Sequence, residues 1–409
     1  MRETRIDQNA TTTTQCLWSR DYFLAFIVLL AAQLVFITLL AYMALYAIEQ
    51  FQVQDTAAGL AASSFILGAS IARLLIGKYL DFIGRKRILV LTLSLYIVCS
   101  LLYPVINIFA LLIVVRILQG MCFGIASTAI TTVVIDVIPS QRLSEGLGYI
   151  SLTGTLTNAI GPVAAIQLSQ NFSSLAVFGF TALCAVIALF VVLPMRIQER
   201  PPSPEEYARR WRLRITDMLD ARALAVAVVA MMCMAGYGLM MTFVTPYAVE
   251  RHLADTASLF FLTWAAAMLV IRLFAGRAHD RYGDNAVIPL ALVSMASGLG
   301  LVAVASELWH FIVAGILGGL GHGVVVPSLQ AISIRRTTAA RIPVTTATYY
   351  LAIDIGVALG PVALGFMVQV AGYPGLFLAG GGIVLASMLI YWLGHGRHVF
   401  RRRLPRQVL

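Results

Sequence analysis

Five charged or imidazole side chains stand well inside long apolar runs, away from their ends, where charge is costly and marks candidate functional positions. Asp354, in the stretch YYLAIDIGVALGP, is the one carboxylate near the middle of any such run. In hydrocarbon an ionised carboxylate must be neutralised, either by a proton or by a cationic group. Alternating between those two states is the chemistry of a proton carrier. A permanent pair with an arginine of another helix is the structural alternative, and sequence leaves both open. Arg116, in the outer third of its run, can bind an anionic group or tune a carboxylate. Arg73 and Arg272 lie two turns from the ends of their runs, so their long stems can snorkel outward or pair with Asp81 and Asp280. His322, in GGLGHGV, can titrate near neutrality or be a satisfied core residue. Gln33, Tyr42, Gln119, Asn158, Tyr237, Tyr349 and Tyr350 are further midrun groups that can line a cavity or hydrogen-bond between helices.

No pattern for chemistry on a substrate accompanies them. The phosphate loop GxxxxGK[ST], HEXXH and GXSXG are absent, so neither an enzyme nor direct use of ATP is expected. Cys99, Cys122, Cys184 and Cys233 lie in apolar runs, Cys16 lies outside them, and no CxxC occurs. Neither a disulfide framework nor a metal site is implied, and no cofactor is expected.

The elements that carry these residues are membrane helices. With 60% hydrophobic and 12% charged residues among 409, the chain lies far outside the soluble range. Twelve apolar runs are long enough to span a bilayer: 22–48, 57–80, 88–104, 108–134, 144–169, 173–195, 223–248, 256–276, 286–306, 309–332, 343–369 and 374–395. They do not alternate with period two, which excludes a β-barrel. The first is too long for a signal-peptide core and reads as the first span. The net charge of +10 would suggest nucleic acid in a soluble protein, but here its distribution decides. With an even number of spans, all but four of the 29 lysines and arginines fall on the side of the termini. Only Arg251 falls opposite, while Arg73, Arg116 and Arg272 fall within spans. The positive-inside rule puts both termini in the cytoplasm, so the expected site is an inner membrane, with no nucleic-acid partner.

The segment 196–222 is the one long polar stretch between spans. Pro201, Pro202 and Pro204 interrupt it, and the basic run after Tyr207 can form an amphipathic helix on the inner leaflet. The resulting organisation is a cytoplasmic segment 1–21, a six-helix half 22–195, a linker 196–222, a second six-helix half 223–395 and a basic tail 396–409. The halves resemble each other. Arg73, Gly77, Asp81 and Gly84 recur as Arg272, Gly276, Asp280 and Gly283; Gly120 and Gly124 recur as Gly319 and Gly323; Gly161-Pro162 recurs as Gly360-Pro361. Every pair is offset by 199 positions. Both members of each pair follow an even number of spans, so the repeats are parallel, a plan that binds substrate at midplane between halves.

Arg73, Gly77 and Asp81 share one helical stripe, on which Gly77 permits close helix contact. Asp81, at the inner end of the second span, can face the positive N-terminus of a helix from the other half. The loop Gly77-Lys78-Tyr79-Leu80-Asp81-Phe82-Ile83-Gly84-Arg85-Lys86-Arg87 resembles the GxxxDxxGR[KR] signature of the major facilitator superfamily. Arg116-Ile117-Leu118-Gln119-Gly120 is similar to the RxxQG element of its proton-coupled members. Gly154 with Gly161-Pro162 resembles the fifth-helix element of its drug:proton antiporters, although Ala164-Ala165 stand where that branch has small glycine pairs. The stretches IDVIPSQRLSEGLGY and YYLAIDIGVALGP resemble the subgroup that includes the opine-metallophore exporters.

The resemblance implies an all-α membrane protein of twelve helices in two parallel six-helix repeats, acting as a monomer on a small molecule and protons. It implies proton-coupled export by alternating access, of a drug-like compound or an amino-acid-derived metallophore; import of an organic solute is the alternative. Asp354 and His322 are then the proton-coupling candidates. Arg116, Gln33, Gln119, Tyr237 and Tyr350 are the substrate candidates. Arg73, Gly77, Asp81, Gly84, Arg85, Arg272, Gly276, Asp280, Gly161 and Pro162 are the gating candidates. Reporter fusions at 200–215 and at the C-terminus should read cytoplasm, and fusions near 52, 171 and 252 exterior. One reproducible exchange between the groups breaks the twelve-span topology.

Overall fold

The computed structural model describes residues 17–53, 55–208, 214–251, 253 and 256–397. Its helices are α1 (Arg20–Phe51), α2 (Asp55–Ile83), α3 (Arg85–Leu102), α4 (Phe109–Val137), α5 (Leu143–Ile150), α6 (Leu152–Asn171), α7 (Ser174–Val192), α8 (Pro204–Ala208), α9 (Ile215–Met218), α10 (Ala221–Glu250), α11 (Thr256–Tyr282), α12 (Asp284–Ala303), α13 (Leu308–Arg335), α14 (Ile342–Gly365) and α15 (Met367–Tyr391). Ten of them are long and apolar enough to cross a membrane. The other two crossings are α2, which carries Arg73, Lys78 and Asp81, and the pair α5–α6, divided at Ser151. The fold is therefore all-α, with twelve spans in two parallel repeats.

Spans are turned inside out relative to a soluble helix. On α3, Leu91, Leu95, Val98 and Leu101 recur at helical spacing and are all exposed, while Thr92, Tyr96 and Ser100 are buried. The apolar face meets lipid and the polar face meets protein, which is why hydropathy finds the spans but not their contacts. Close packing within each half rests on matched glycines. A Cβ on Gly120 would come within 1.9 Å of the Phe65 carbonyl oxygen, and one on Gly319 within 2.4 Å of the Trp264 carbonyl oxygen. Phe65 and Trp264 are themselves 199 positions apart, so the same contact is built twice.

The last span follows a kink. Within α15, Gly372 has φ +66°, a left-handed conformation that only glycine adopts cheaply, so the final crossing starts close to the apolar run expected from 374. The chain turns there into the final crossing.

The linker is tied to both halves at the basic face, the side that gathers the short basic loops. The Glu199 carboxylate accepts hydrogen bonds from the backbone N–H groups of Arg85 (2.7 Å) and Lys86 (2.8 Å), capping α3 beside Gly84, whose φ is +96°. Asp220 accepts from the hydroxyls of Thr345 (2.6 Å) and Thr337 (2.9 Å) in the second half. Burial opposes ionisation of Asp220. The bonds from Thr345, the Arg222 N–H and Thr337, with Arg341 nearby, outweigh it and hold the carboxyl below its usual range. The basic run expected along the bilayer falls largely outside the described residues, as do most of the terminal segments.

Candidate functional site

The two halves meet along two seams. In the first, α2 lies against α14. Gly77 lets the backbones touch: a Cβ there would come within 2.9 Å of Val344 Cα. One and two turns further into the membrane the same stripe of α2 presents Arg73 and Ser70. Arg73 forms an ion pair with Asp354 of α14, and the Ser70 hydroxyl donates to Asp354 Oδ2 at 3.4 Å. Arg73 also reaches Ser127 on α4 (3.4 Å), and its guanidinium lies 5.1 Å from the centre of the Tyr350 ring. The Tyr350 hydroxyl is hydrogen-bonded to Thr131 at 3.1 Å. The pair is unequally buried: the Arg73 side chain is 5% exposed and Asp354 17%.

The second seam sets α11 against α5 and α6, and it repeats the first with an offset of 199. Gly276 replaces Gly77, and a Cβ there would lie 2.4 Å from Cα of Glu145, the counterpart of Val344. Arg272 replaces Arg73. It donates to the Ser151 carbonyl and to the Thr155 hydroxyl, the latter at 2.5 Å. Thr155 is the counterpart of Asp354, so a hydroxyl stands where the first seam has a carboxylate. Beside Arg272 are Tyr237 and His322, both close enough to interact with it electrostatically. Tyr237 and His322 rings are 4.5 Å apart, and Trp264 lies 5.7 Å from His322.

At the basic face the seams are locked. The Asp280 carboxylate accepts from the Glu145 N–H at 3.1 Å, in the first turn of α5. This is the contact between a carboxylate and a helix N-terminus expected for Asp81, but it is made by the second copy. Asp81 instead pairs within its own half, with Arg85 (2.8 Å) and with Arg200 of the linker (3.8 Å). Arg335 bridges Asp280 (2.5 Å) and the Ser144 hydroxyl (2.9 Å), and Arg277 pairs with Glu145 (2.9 Å). Lys78, the counterpart of Arg277, pairs with Asp217 at 3.0 Å. The core of the first half is continuous here with Ala331, Ile334 and Ile342 of the second. The molecule is closed at its basic face.

Each half also holds a three-charge cluster at this face, with two members exchanged. In the first, Arg85 on α3 pairs with Asp81 on α2 and Asp136 on α4. In the second, Arg335 on α13 pairs with Asp280 on α11 and Asp284 on α12. Arg85 corresponds to Asp284 and Asp136 to Arg335. His279 and His395 both hydrogen-bond Asp284, at 2.8 and 2.7 Å.

The structure thus brings together Arg73, Tyr350 and Asp354 at one seam, and Arg272, Tyr237 and His322 at the other. Neither arginine pairs with the aspartate of its own stripe, as their spacing had allowed. Arg73 turns toward the other half's carboxylate, and Arg272 toward the carbonyl and hydroxyl of α5–α6. Gly77, Gly276 and Asp280 lie in the cross-half contacts, while Gly84 and Arg85 stay within the first half. Arg116 and Gln119 are not brought to a seam. Both are fully buried; Arg116 Nε donates to the Ala61 carbonyl at 3.0 Å, and Gln119 joins Tyr103 (2.6 Å) and Ser100 (3.0 Å). Gln33 faces Gly154 inside the first half, and Gly161 packs on Ile37 and Thr38 of α1, with Pro162 following it. Sequence reasoning missed Ser70, Thr155, Trp264, Glu145 and Arg335. The signal for Thr155 was available, because the repeat offset carries Asp354 onto it.

Comparison with known proteins accords with this geometry. The Major Facilitator Superfamily model matches residues 22–284 and 227–407, and the chain belongs to that superfamily. It is similar to the Staphylopine export protein of Staphylococcus aureus (strain Mu50 / ATCC 700699), 22% identical over 355 residues that cover 83% of this chain and 87% of that protein. It is also similar to the MFS-type transporter YhhS of Escherichia coli (strain K12), 24% identical over 351 residues, 82% of each chain. Among solved structures, the human organic anion transporter MFSD10 (TETRAN) has a TM-score of 0.73 at 17% identity, covering 91% of this chain and 98% of that one. FucP, solved in the outward conformation, has a TM-score of 0.70 at 18% identity, covering 92% and 99%. Those two likenesses establish the fold, and family membership makes the chain a multi-pass membrane transporter.

Closure at the basic face depends on Gly276. Carbon atoms in contact sit roughly 3.5–4.0 Å apart, so Gly276→Val should force α11 and α5 apart by about 1 Å or more. Spin labels on the two halves at the basic face should then show a longer and broader distance distribution than in the unsubstituted protein. An unchanged distribution removes Gly276 from the gate.

Proposed function

We propose that the protein is a proton-coupled exporter of a small organic molecule, working as a monomer by alternating access in the cytoplasmic membrane of a bacterium. The observation that carries the reading is the Arg73–Asp354 pair, which ties one half to the other in midspan. Asp354 lies twelve residues into α14, roughly 18 Å at the helical rise and so near the middle of the bilayer. A proton on Asp354 removes the charge that holds Arg73 and loosens the α2–α14 seam. Loss of the proton restores the pair and the closed basic face. Protonation and closure of that face thus oppose each other, which is the coupling an antiporter requires.

The positive-inside pattern supports a cytoplasmic basic face. On that orientation the closed geometry is the outward-facing state, in which the partly exposed Asp354 collects a proton from outside. The Staphylopine export protein supports outward transport, and an amino-acid-derived metallophore or a drug-like compound suits the mixture of arginines and aromatic groups between the halves. Arg73, Asp354 and Tyr350 form the coupling site in this reading, and Gly77, Gly276, Asp280 and Arg335 the cytoplasmic gate. Arg116 and Gln119 serve the packing of the first half.

Comparing metabolites exported with and without the gene, at high and low metal supply, identifies the cargo. Proteoliposomes carrying that compound and an imposed pH gradient then test the coupling. Asp354→Asn keeps size and hydrogen bonding but fixes the group as neutral. It should lower pH-driven accumulation to the protein-free baseline while leaving downhill exchange. Because Asp354→Asn leaves Arg73 as a buried unpaired cation, at a cost of roughly 3–5 kcal/mol, the double variant Arg73→Gln/Asp354→Asn should recover stability without recovering accumulation. Accumulation against a gradient by Asp354→Asn would make Asp354 structural and end this reading. Accumulation inside right-side-out vesicles in place of efflux would favour import.

A further inference from the structure

The two seams are built alike but are not electrically alike. Arg73 meets a carboxylate, whereas its counterpart Arg272 meets the Ser151 carbonyl and the Thr155 hydroxyl. Among the described residues no carboxylate lies within ion-pair distance of Arg272. Neutral acceptors satisfy donors of a guanidinium but do not cancel its charge, and an uncompensated charge in midspan is costly. Such a position is retained where a counter-charge arrives from elsewhere. Arg272 is 6% exposed, His322 7% and Trp264 3%. Arg272 Nε, His322 Nδ1 and Trp264 Nε1 are all buried without a hydrogen-bond partner. Unsatisfied buried polar atoms call for an explanation, and one on Arg272 itself and two in the adjoining Tyr237, His322 and Trp264 group share one: a ligand that brings oxygen acceptors and negative charge.

We infer that Arg272, with His322, Trp264 and Tyr237, forms the subsite that receives an anionic group of the substrate, a carboxylate above all, and that Thr155 stands in place of an aspartate to keep this arginine free for it. This rests on the transporter reading and specifies its substrate class: a small organic anion or zwitterion with an aromatic or apolar body. The charge match follows from Arg272. The preference for an aromatic or apolar body follows from the tilted rings of Tyr237 and His322, 4.5 Å apart, with Trp264 beside them. The seam is then completed by cargo in the second half, as it is by Asp354 in the first. Carboxylate binding at Arg272 draws the guanidinium from Ser151 and Thr155, so substrate and closure of the second seam compete, just as proton and closure compete at the first.

The test uses the full chain in detergent, with benzoate and phenylacetate against their uncharged amides as probes, read by thermal midpoint and tryptophan fluorescence. The acids should stabilise the protein and shift its fluorescence, and the amides should do so far less. Thr155→Asp gives Arg272 the internal partner that Arg73 already has. It should fold with an equal or higher thermal midpoint and bind the acids at least about tenfold more weakly, the scale of a lost charge-assisted hydrogen bond. Arg272→Gln should abolish the preference for acid over amide, and Thr155→Asp keeps the test decisive if that variant does not fold. Equal effects of acids and amides, no effect of either, or full acid binding by Thr155→Asp would each overturn the inference. Asp354→Asn should retain acid binding. Failure of proton coupling therefore shows only in the gradient assay, and failure of the anion subsite only here.

Discussion

A charge in hydrocarbon must find its opposite, and this molecule is organised around how two arginines do so. Arg73 and Arg272 sit at the same level on equivalent helices, each crossing from one six-helix half to the other. For Arg73 the opposite charge is part of the protein, so the ion pair with Asp354 is also the join between halves. On the proposed function, a mobile proton competes directly with that join. The glycines beneath, Gly77 and Gly276, let the backbones come close enough for these reaches to be made. The Asp280 and Arg335 contacts below them complete the closed face. A longer side chain at the glycines or a neutral one at Asp354 alters the same contact surface from different ends.

The internal repeat explains why two seams exist, and its exceptions explain why they do different work. Gly77 on Val344 is matched by Gly276 on Glu145, and Phe65 on Gly120 by Trp264 on Gly319. Against that background Thr155 facing Arg272 is a departure of a single side chain, but it exchanges a full charge for a dipole. The first seam therefore carries its own counter-charge, and the second is left with electrostatic demand unmet.

The spans were legible because each is a long apolar run, and the basic residues that alternate so strictly between sides gather on one face of the fold. The gate glycines were legible because Gly77 and Gly276 share spacing with neighbouring charges. The break at Ser151 was not, since no proline marks it and the apolar run continues across it. Partners were the least legible feature. Asp354 and Arg73 are 281 positions apart, and α14 is apolar on most of its circumference, so periodicity could not say which face meets α2. Arg116 and Gln119 illustrate a second ambiguity: a polar residue in midspan signals a buried hydrogen bond as readily as a cavity. Tyr103, Ser100 and the Ala61 carbonyl supply those bonds within one half. What sequence did contain, in the common offset, was a rule that converts one seam into the other.

The exchanged charge clusters at the basic face bear on how such a chain can be inherited. Arg85 with Asp136 and Asp284 with Arg335 are the same two sites holding opposite signs. Each cluster is self-consistent within its own half. A crossover falling between the third and fourth helices of a half would instead set Arg85 against an arginine or Asp284 against an aspartate. Each cluster joins the second, third and fourth helices of its half, so those three must travel together if the signs are to stay matched.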